Sequence, residues 1–383
     1  MRPRWNLSPG LIEHAAADIR RELPPNVQWA PEITTDFSSE CLGALFEASE
    51  QREQGPGNEP AGSTGSRAFQ PLLESYSVSG SHGARLFEAS EQRERRLGNE
   101  PVGSTGSRAF QPLFACRNVA VAQAMIEPLK QLTNTVAGLT TQDLQLLIRF
   151  PVVHLDDTGP LERIASEFAV VIVVDHYRHA ELVSEVAVRS GRTIELLIDV
   201  DLGYQRTGVR PGPDSVLLAQ AITRLPGLKL SGVFLRTSVL RESPSLDSDL
   251  RNSITVGRHC LKFIQAAEIA CEQLVLEETR GLPIDEDVTI VLNSPLPVPP
   301  GSIQEPMRSE IAEHTARVIA RPSLEWCVID AGTNDLRTIE VPNVLRPGGA
   351  TVRTMDREQT TLSLADESLD LRIGDTVSLS CSR

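Results

Sequence analysis

The stretch "ELLIDVDLGYQRTGVRPG", Glu195–Gly212, opens as an apolar run and ends in a glycine-punctuated loop that carries one arginine. A strand that reads apolar throughout belongs to a parallel sheet covered on both faces, because one solvated face would impose alternation. Gly203 and Gly208 bracket Arg206 and permit a tight turn with close backbone approach. In a parallel barrel a loop of this kind lies at the C-terminal mouth of the strands, where such folds hold their ligands.

The neighbouring sequence repeats the pattern. Upstream, "FAVVIVVD" (Phe168–Asp175) is followed by the helical pattern "HAELVSEVAVRSG"; downstream come "PDSVLLAQAITRLPG", then "LKLSGVFL", a helical segment around Thr255–Glu278, and "DVTIVL". Apolar strands alternating with amphipathic helices give a (β/α)₈ TIM-type barrel or a doubly wound sheet. Near Pro295 the character changes. "NSPLPVPPGS" breaks regular structure, and "SLEWCVIDAG", "TIEVPNVL", "TTLSLADES" and "DTVSLSCS" read as short strands between turns. The expected architecture is an α/β TIM-type barrel followed by a small C-terminal antiparallel β domain.

A direct repeat interrupts the N-terminal third. "LFEASEQREQGPGNEPAGSTGSRAFQPL" at Leu45–Leu72 returns at Leu86–Leu113 with four differences, a period of 41 residues. Two copies are too few for a solenoid. Their Gly, Glu, Arg, Ser and Pro content leaves too little apolar surface to offset the entropy of ordering, so a disordered insertion is expected. The domain boundaries read as 1–44 for the start of the barrel, 45–113 for the insertion, 114–297 for the rest of the barrel and 298–383 for the β domain.

The 383 residues carry 37 Lys+Arg against 51 Asp+Glu, a formal charge of −14, which leaves no basic footprint for nucleic acid or an anionic membrane surface. The six cysteines contain no C-x-x-C pair, so reduced thiols are expected rather than a disulfide framework or a zinc cluster. No leader-like apolar run opens the chain and none reaches the length of about 18 that spans a bilayer, which points to a cytoplasmic protein. Lys130, Lys229 and Lys262 are the only lysines.

Taken in order, "LLIDVDLGYQRTGVRPG", "LPGLKLSGVFL", "VIARPSLEWCVIDAG" and "LRIGDTVSLS" resemble the D-threonine aldolase and D-serine dehydratase family, through about Val152–Ser380. That resemblance implies an alanine-racemase-like barrel holding pyridoxal 5'-phosphate (PLP), a C-terminal β domain, and a D-amino acid as small-molecule partner. A homodimer is open to such a chain. It also implies that Arg206, in the D-x-G-x-x-R-x-G loop with Gly203 and Gly208, donates to the cofactor's phenolic oxygen, a task suited to a planar and permanent cation. The bland alternative pairs Arg206 with Asp199 or Asp201.

Other family positions are filled differently here. PLP chemistry needs a lysine amine for its Schiff base. In "VQWAPEITTD", Thr34 stands where the family has lysine and Glu32 where it has histidine; an alignment through "LFACRN" puts Phe114 there instead. Lys229 precedes an apolar strand and belongs at the opposite rim, while Lys130 and Lys262 fall in helical patterns. The family's Tyr-His pair is replaced by Arg236 and Thr237, its glycine-rich phosphate turn by "LNSPLPVPP", and its paired metal ligands by Cys381 alone. Each proline removes a donor from the turn. PLP binding is therefore in question and a divalent metal is not expected. His176 and His179 in "DHYRH" suggest a metal pair, but no carboxylate motif accompanies them, and a solvated first helical turn is the expectation. Three readings follow: a family member that has lost its chemistry, a working PLP lyase or aldolase on D-hydroxy amino acids, and a binding or scaffold protein using the repeat as an arm.

Overall fold

The computed structural model describes residues 28–31, 113–135, 139–240, 243, 245–277, 289–292, 313–336, 340–365 and 370–380. The repeat falls outside them, apart from the backbone of Leu113, as do Thr34 and Cys381. So does the proline-rich turn after Leu292.

Eight parallel strands are hydrogen-bonded in the order β1-β8-β7-β6-β5-β4-β3-β2, the order of a TIM-type barrel. They are β1 (Gln28–Pro31), β2 (Leu113–Cys116), β3 (Gln145–Ile148), β4 (Ala169–Val174), β5 (Ile194–Val200), β6 (Leu228–Leu235), β7 (Gln273–Glu277) and β8 (Thr289–Leu292). The two ends of that order, β1 and β2, approach within 8 Å between Cα atoms. Residues 32–112 separate β1 from β2, so the repeat lies in the first connection of the barrel.

The helices follow from apolar spacing. Helix α1 (Val119–Ala124) and α2 (Ile126–Thr135) come after β2, α3 (Thr158–Glu167) after β3, α4 (Tyr177–Ser190) after β4, and α5 (Pro213–Ile222) after β5. Helix α6 (Leu246–Ala266) buries Leu250, Ile254, Gly257, Leu261 and Ile264, the three- and four-residue spacing of one helical face. These faces pack on the outward residues of the strands, among them Leu146, Ile148, Ile172, Leu196 and Leu235. The inward residues Ala115, Leu147, Val171, Val173, Leu197, Phe234 and Val275 form a separate cluster that fills the barrel.

The sequence reading ran the helix after β6 through to Glu278. The structure ends α6 at Ala266 and makes Gln273–Glu277 strand β7, between β6 and β8. The run "QLVLE" is short and mixes leucines with a glutamate, so periodicity alone does not separate it from the end of a helix.

A second sheet is antiparallel, in the order β11-β14-β9-β10-β13-β12. Its strands are β9 (His314–Ala320), β10 (Trp326–Ile329), β11 (Asn343–Arg346), β12 (Ala350–Met355), β13 (Thr360–Leu364) and β14 (Thr376–Ser380). Alternate residues Ala316 and Val318, Cys327 and Ile329, Leu362 and Leu364, and Val377 and Leu379 form its core. The sequence reading had missed β9 and β12, whose apolar residues alternate with arginine and threonine. Barrel and sheet meet through Phe150 and Val153, packed with Ile319, Ala320 and Val328.

Candidate functional site

Two residues beyond each inward-facing core residue, the strands present an ionisable group. Ala115 is followed by Arg117, Leu147 by Arg149, Val173 by Asp175, Leu197 by Asp199, Phe234 by Arg236 and Val275 by Glu277. Because side chains alternate along a strand, all six belong to the layer above the packed interior, at the C-terminal mouth. Three are arginines and three are carboxylates, so these six balance one another's formal charge.

The groups are bonded to one another. Arg149 is fully buried, and its guanidinium hydrogen-bonds Glu277. Arg236 donates to Asp199 Oδ2 and to the Arg149 carbonyl, each at 2.8 Å, and its Nη1 lies 3.6 Å from Glu277 Oε1. Its guanidinium also sits 5.4 Å from the centre of the Phe150 ring and 5.3 Å from that of Phe234. Thr237 donates to the Glu277 carbonyl. Arg236 and Thr237, standing in the place of the family's Tyr-His pair, are thus internal structural donors.

The β domain reaches into this layer. Arg149 donates to Glu358 Oε1 at 2.8 Å and Oε2 at 3.1 Å. Arg117 Nη2 donates to Asp335 Oδ2 at 2.8 Å and to the carbonyls of Asp330 and Glu358, both at 2.7 Å.

Arg206 was expected to face a cofactor or to pair with Asp199 or Asp201. Its ion-pair partner is Asp356 of the β domain, not Asp199 or Asp201. Asp199 is taken by Arg236, and Asp201 Oδ1 accepts the backbone N–H groups of Gly203, Tyr204 and Gln205 at 2.9, 3.0 and 3.2 Å. Gly203 and Gly208 have φ of 95° and 105°, the left-handed region that the turn requires. The Gly208 N–H donates to Asp175 Oδ2 at 2.8 Å, tying the loop to β4.

Burial raises Asp199, and the neighbouring Asp175 raises it further against the pull of Arg236, leaving it at about 6. Burial also works against charge on Asp175, but His179, the Gly208 N–H and Arg236 outweigh it and hold that carboxyl below the ordinary range. Glu358 is held down at about 2: burial opposes its charge, and Arg149 and Arg117 override the opposition.

The histidine expectation needs correction. His176 caps α4, its Nδ1 accepting the Arg178 N–H at 3.1 Å, but His179 is fully buried rather than solvated. Its Nδ1 lies 2.9 Å from Asp175 Oδ1, at ion-pair distance but out of line for a hydrogen bond. Helical geometry returns His179 to the strand end that carries Asp175, four residues earlier, so a carboxylate does accompany it. Among the described residues no group of three His, Cys, Asp or Glu side chains is placed to hold a metal ion.

All three lysines are described, and none lies at the mouth. Lys130 on α2 donates to Glu167 at 2.7 Å, Lys229 donates to Glu195 at 2.9 Å across the N-terminal ends of β6 and β5, and Lys262 is exposed on α6. Among the described residues no lysine amine lies at the mouth, and Arg206 is paired with Asp356. The single-residue loop pattern made Arg206 legible, whereas Arg117, Arg149 and Glu277 belong to no motif. The signal that finds them is one ionisable residue two places past an inward apolar one, repeated over successive strands.

Comparisons with known proteins agree with this frame. Residues 140–288 match the family "Alanine racemase, N-terminal domain". A D-threonine aldolase of Arthrobacter sp is 27% identical over 117 residues, covering 27% of this chain and 31% of that relative. The chain thus matches under a third of that relative's length. By structure, D-threonine aldolase from Filomicrobium marinum aligns over 100% of this chain and 87% of its own at a TM-score of 0.50 and 17% identity, a likeness of fold. D-threo-3-hydroxyaspartate dehydratase from Delftia sp. HT23 aligns over 97% and 87% at 0.43 and 13%. In the described residues no helix is long and apolar enough to cross a membrane. The match to residues 140–288 spans strands β3 to β7, so that part of the barrel resembles the alanine racemase N-terminal domain, and the strand order and covered parallel sheet are those of a TIM-type barrel.

Proposed function

We propose that this chain is a relative of the PLP-dependent D-amino acid lyases, of D-threonine aldolase or D-serine dehydratase type, whose lysine-dependent chemistry has been lost. Its mouth layer then serves to join barrel and β domain. The observation that carries this reading is the placement of Lys130, Lys229 and Lys262 on the outer helices and the opposite rim, while the mouth is filled by paired arginines and carboxylates. PLP supplies an electron sink to the substrate's α-carbon, and a lysine-bound form of it has no anchor here. No step is therefore assigned to the cofactor. The test adds PLP to the purified full chain, with and without borohydride, then supplies D-threonine or D-serine with divalent cations. No visible aldimine band forms, borohydride fixes no near-ultraviolet pyridoxyl band to the protein, and neither substrate is consumed. A borohydride-fixed band, or turnover of either amino acid, overturns the reading in favour of a working lyase.

A further inference from the structure

We propose that the barrel mouth contains a carboxylate site filled in cis, with the Glu358 side chain as a plug that a free carboxylate can replace. The inference deepens the reading above and rests on it, since a lysine-bound cofactor would claim the same space.

The plug is held from several directions. Residues 356–359 form the turn between β12 and β13. Asp356 Oδ1 accepts the N–H groups of Glu358 and Gln359 at 2.8 and 2.7 Å, which shapes the turn, and its other oxygen takes Arg206. Arg117 holds the Glu358 carbonyl at 2.7 Å. The backbone is thus pinned on both sides, and the carboxylate meets two nitrogens of Arg149 at 2.8 and 3.1 Å. A two-pronged contact between planar groups is the mode by which guanidinium recognises carboxylate, and a single amide or ammonium does not reproduce it. The lowered pKa of Glu358 agrees with a seat built for the anion.

Arg149 is fully buried with Glu358 in place, and it stands at the end of strand β3 of the barrel rather than on the turn that carries Glu358. Its second partner, Glu277, comes from the neighbouring strand β7 and stays in place when the turn is altered. Removing the Glu358 carboxylate takes from Arg149 the two hydrogen bonds at 2.8 and 3.1 Å, which costs heavily unless an anion restores them. The ligand class that fits is a small monocarboxylate, and any acidic ligand of this mouth must displace Glu358.

The experiment measures thermal unfolding of the full chain carrying Glu358→Ala, in sodium chloride and in sodium acetate or formate of equal ionic strength. The midpoint in chloride falls by roughly 5 °C or more. Tens of millimolar acetate or formate restore at least half of the loss, and they leave the wild type unmoved. Glu358→Gln keeps the volume without the charge; it is destabilised too, but acetate does not restore it because the seat is full. If Glu358→Ala is recovered unfolded, refolding yield in acetate against chloride gives the same readout. An unchanged midpoint, equal restoration by chloride, or restoration of Glu358→Gln to the same degree overturns the plug. A borohydride-fixed PLP band sinks the preceding reading by a separate signal. With that band absent, a missing acetate effect sinks the plug alone.

Discussion

Asp199 sits in the mouth layer with two opposed neighbours, Arg236 and Asp175, and burial decides the balance by raising its pKa from an ordinary 3.8 to about 6. Between those values the folded chain keeps a proton that the unfolded chain has released. The Asp199 contribution to stability is thus greatest below the window and falls as pH rises through it. Asp199→Asn cannot ionise, so its stability should gain on the wild type as pH rises from about 4 to about 6.5. Urea midpoints of both proteins at successive pH values check this, and parallel curves contradict it. Glu358 acts in the opposite sense: its pKa is depressed to about 2, so its contribution is present above the ordinary carboxyl value and fades as pH falls through its folded value. Comparing Asp199→Asn with the wild type isolates one slope from the other. The sequence announced Arg206 through its glycines, but Asp199, Arg149 and Glu277 gave no such notice. Their partners lie far along the chain, and only the closing of the sheet brings Arg149 to Glu277, 128 residues away.

The loop between β5 and α5 links that residue chemistry to the fold. Asp201 gathers three successive N–H groups, the chain turns through Gly203, and Gly208 returns it to the strand end. A Cβ at Gly208 would stand 2.5 Å from the Asp201 nitrogen and 2.8 Å from the Val200 carbonyl carbon, in a backbone conformation that side chains rarely adopt. Gly208→Ala therefore pushes the loop off β5 and draws Arg206 away from Asp356. It should lose roughly 2–4 kcal/mol of stability, measured by urea unfolding, and a loss below half a unit on that scale would show that the loop gives way freely. Elements of this kind were largely legible in advance. The reading "LKLSGVFL" coincides with β6, and the runs around β4 and β5 overrun the observed strands by one residue at each end. Both are long and flanked by clear helical periods, and only Glu195 and Asp199 of β5 interrupt their apolar runs. Strand β7 was hidden because a five-residue run with glutamate at its end carries no distinguishing period, and β9 and β12 because exposed arginines and threonines dilute their alternation.

At the scale of the molecule, the barrel and the antiparallel sheet share a buried electrostatic seam as well as the small apolar contact of Phe150 and Val153 with Ile319 and Val328. Arg117 is the single side chain that spans most of that seam. From the end of β2 it reaches the Asp335 carboxylate and two β-domain carbonyls, while its guanidinium lies 4.8 Å from the centre of the Phe150 ring. Burial works against its charge, yet Asp335 and the carboxylates around it keep its pKa above the ordinary arginine value, so the cation persists at any accessible pH. Interfaces between parts of one chain are commonly modest, and whether they melt together depends on whether enough free energy crosses the boundary. Here the crossing groups are desolvated and bonded on each side, so barrel and sheet should unfold in one calorimetric transition. Arg117→Met retains the apolar stem over Phe150 and removes every one of those hydrogen bonds. It leaves Asp335 without its guanidinium and should divide the endotherm into two, the sheet melting first because its core is the smaller. A wild-type endotherm already divided, or an Arg117→Met endotherm that remains single and unshifted, would mean that the apolar contact alone couples the halves and that the charged seam contributes little to their union.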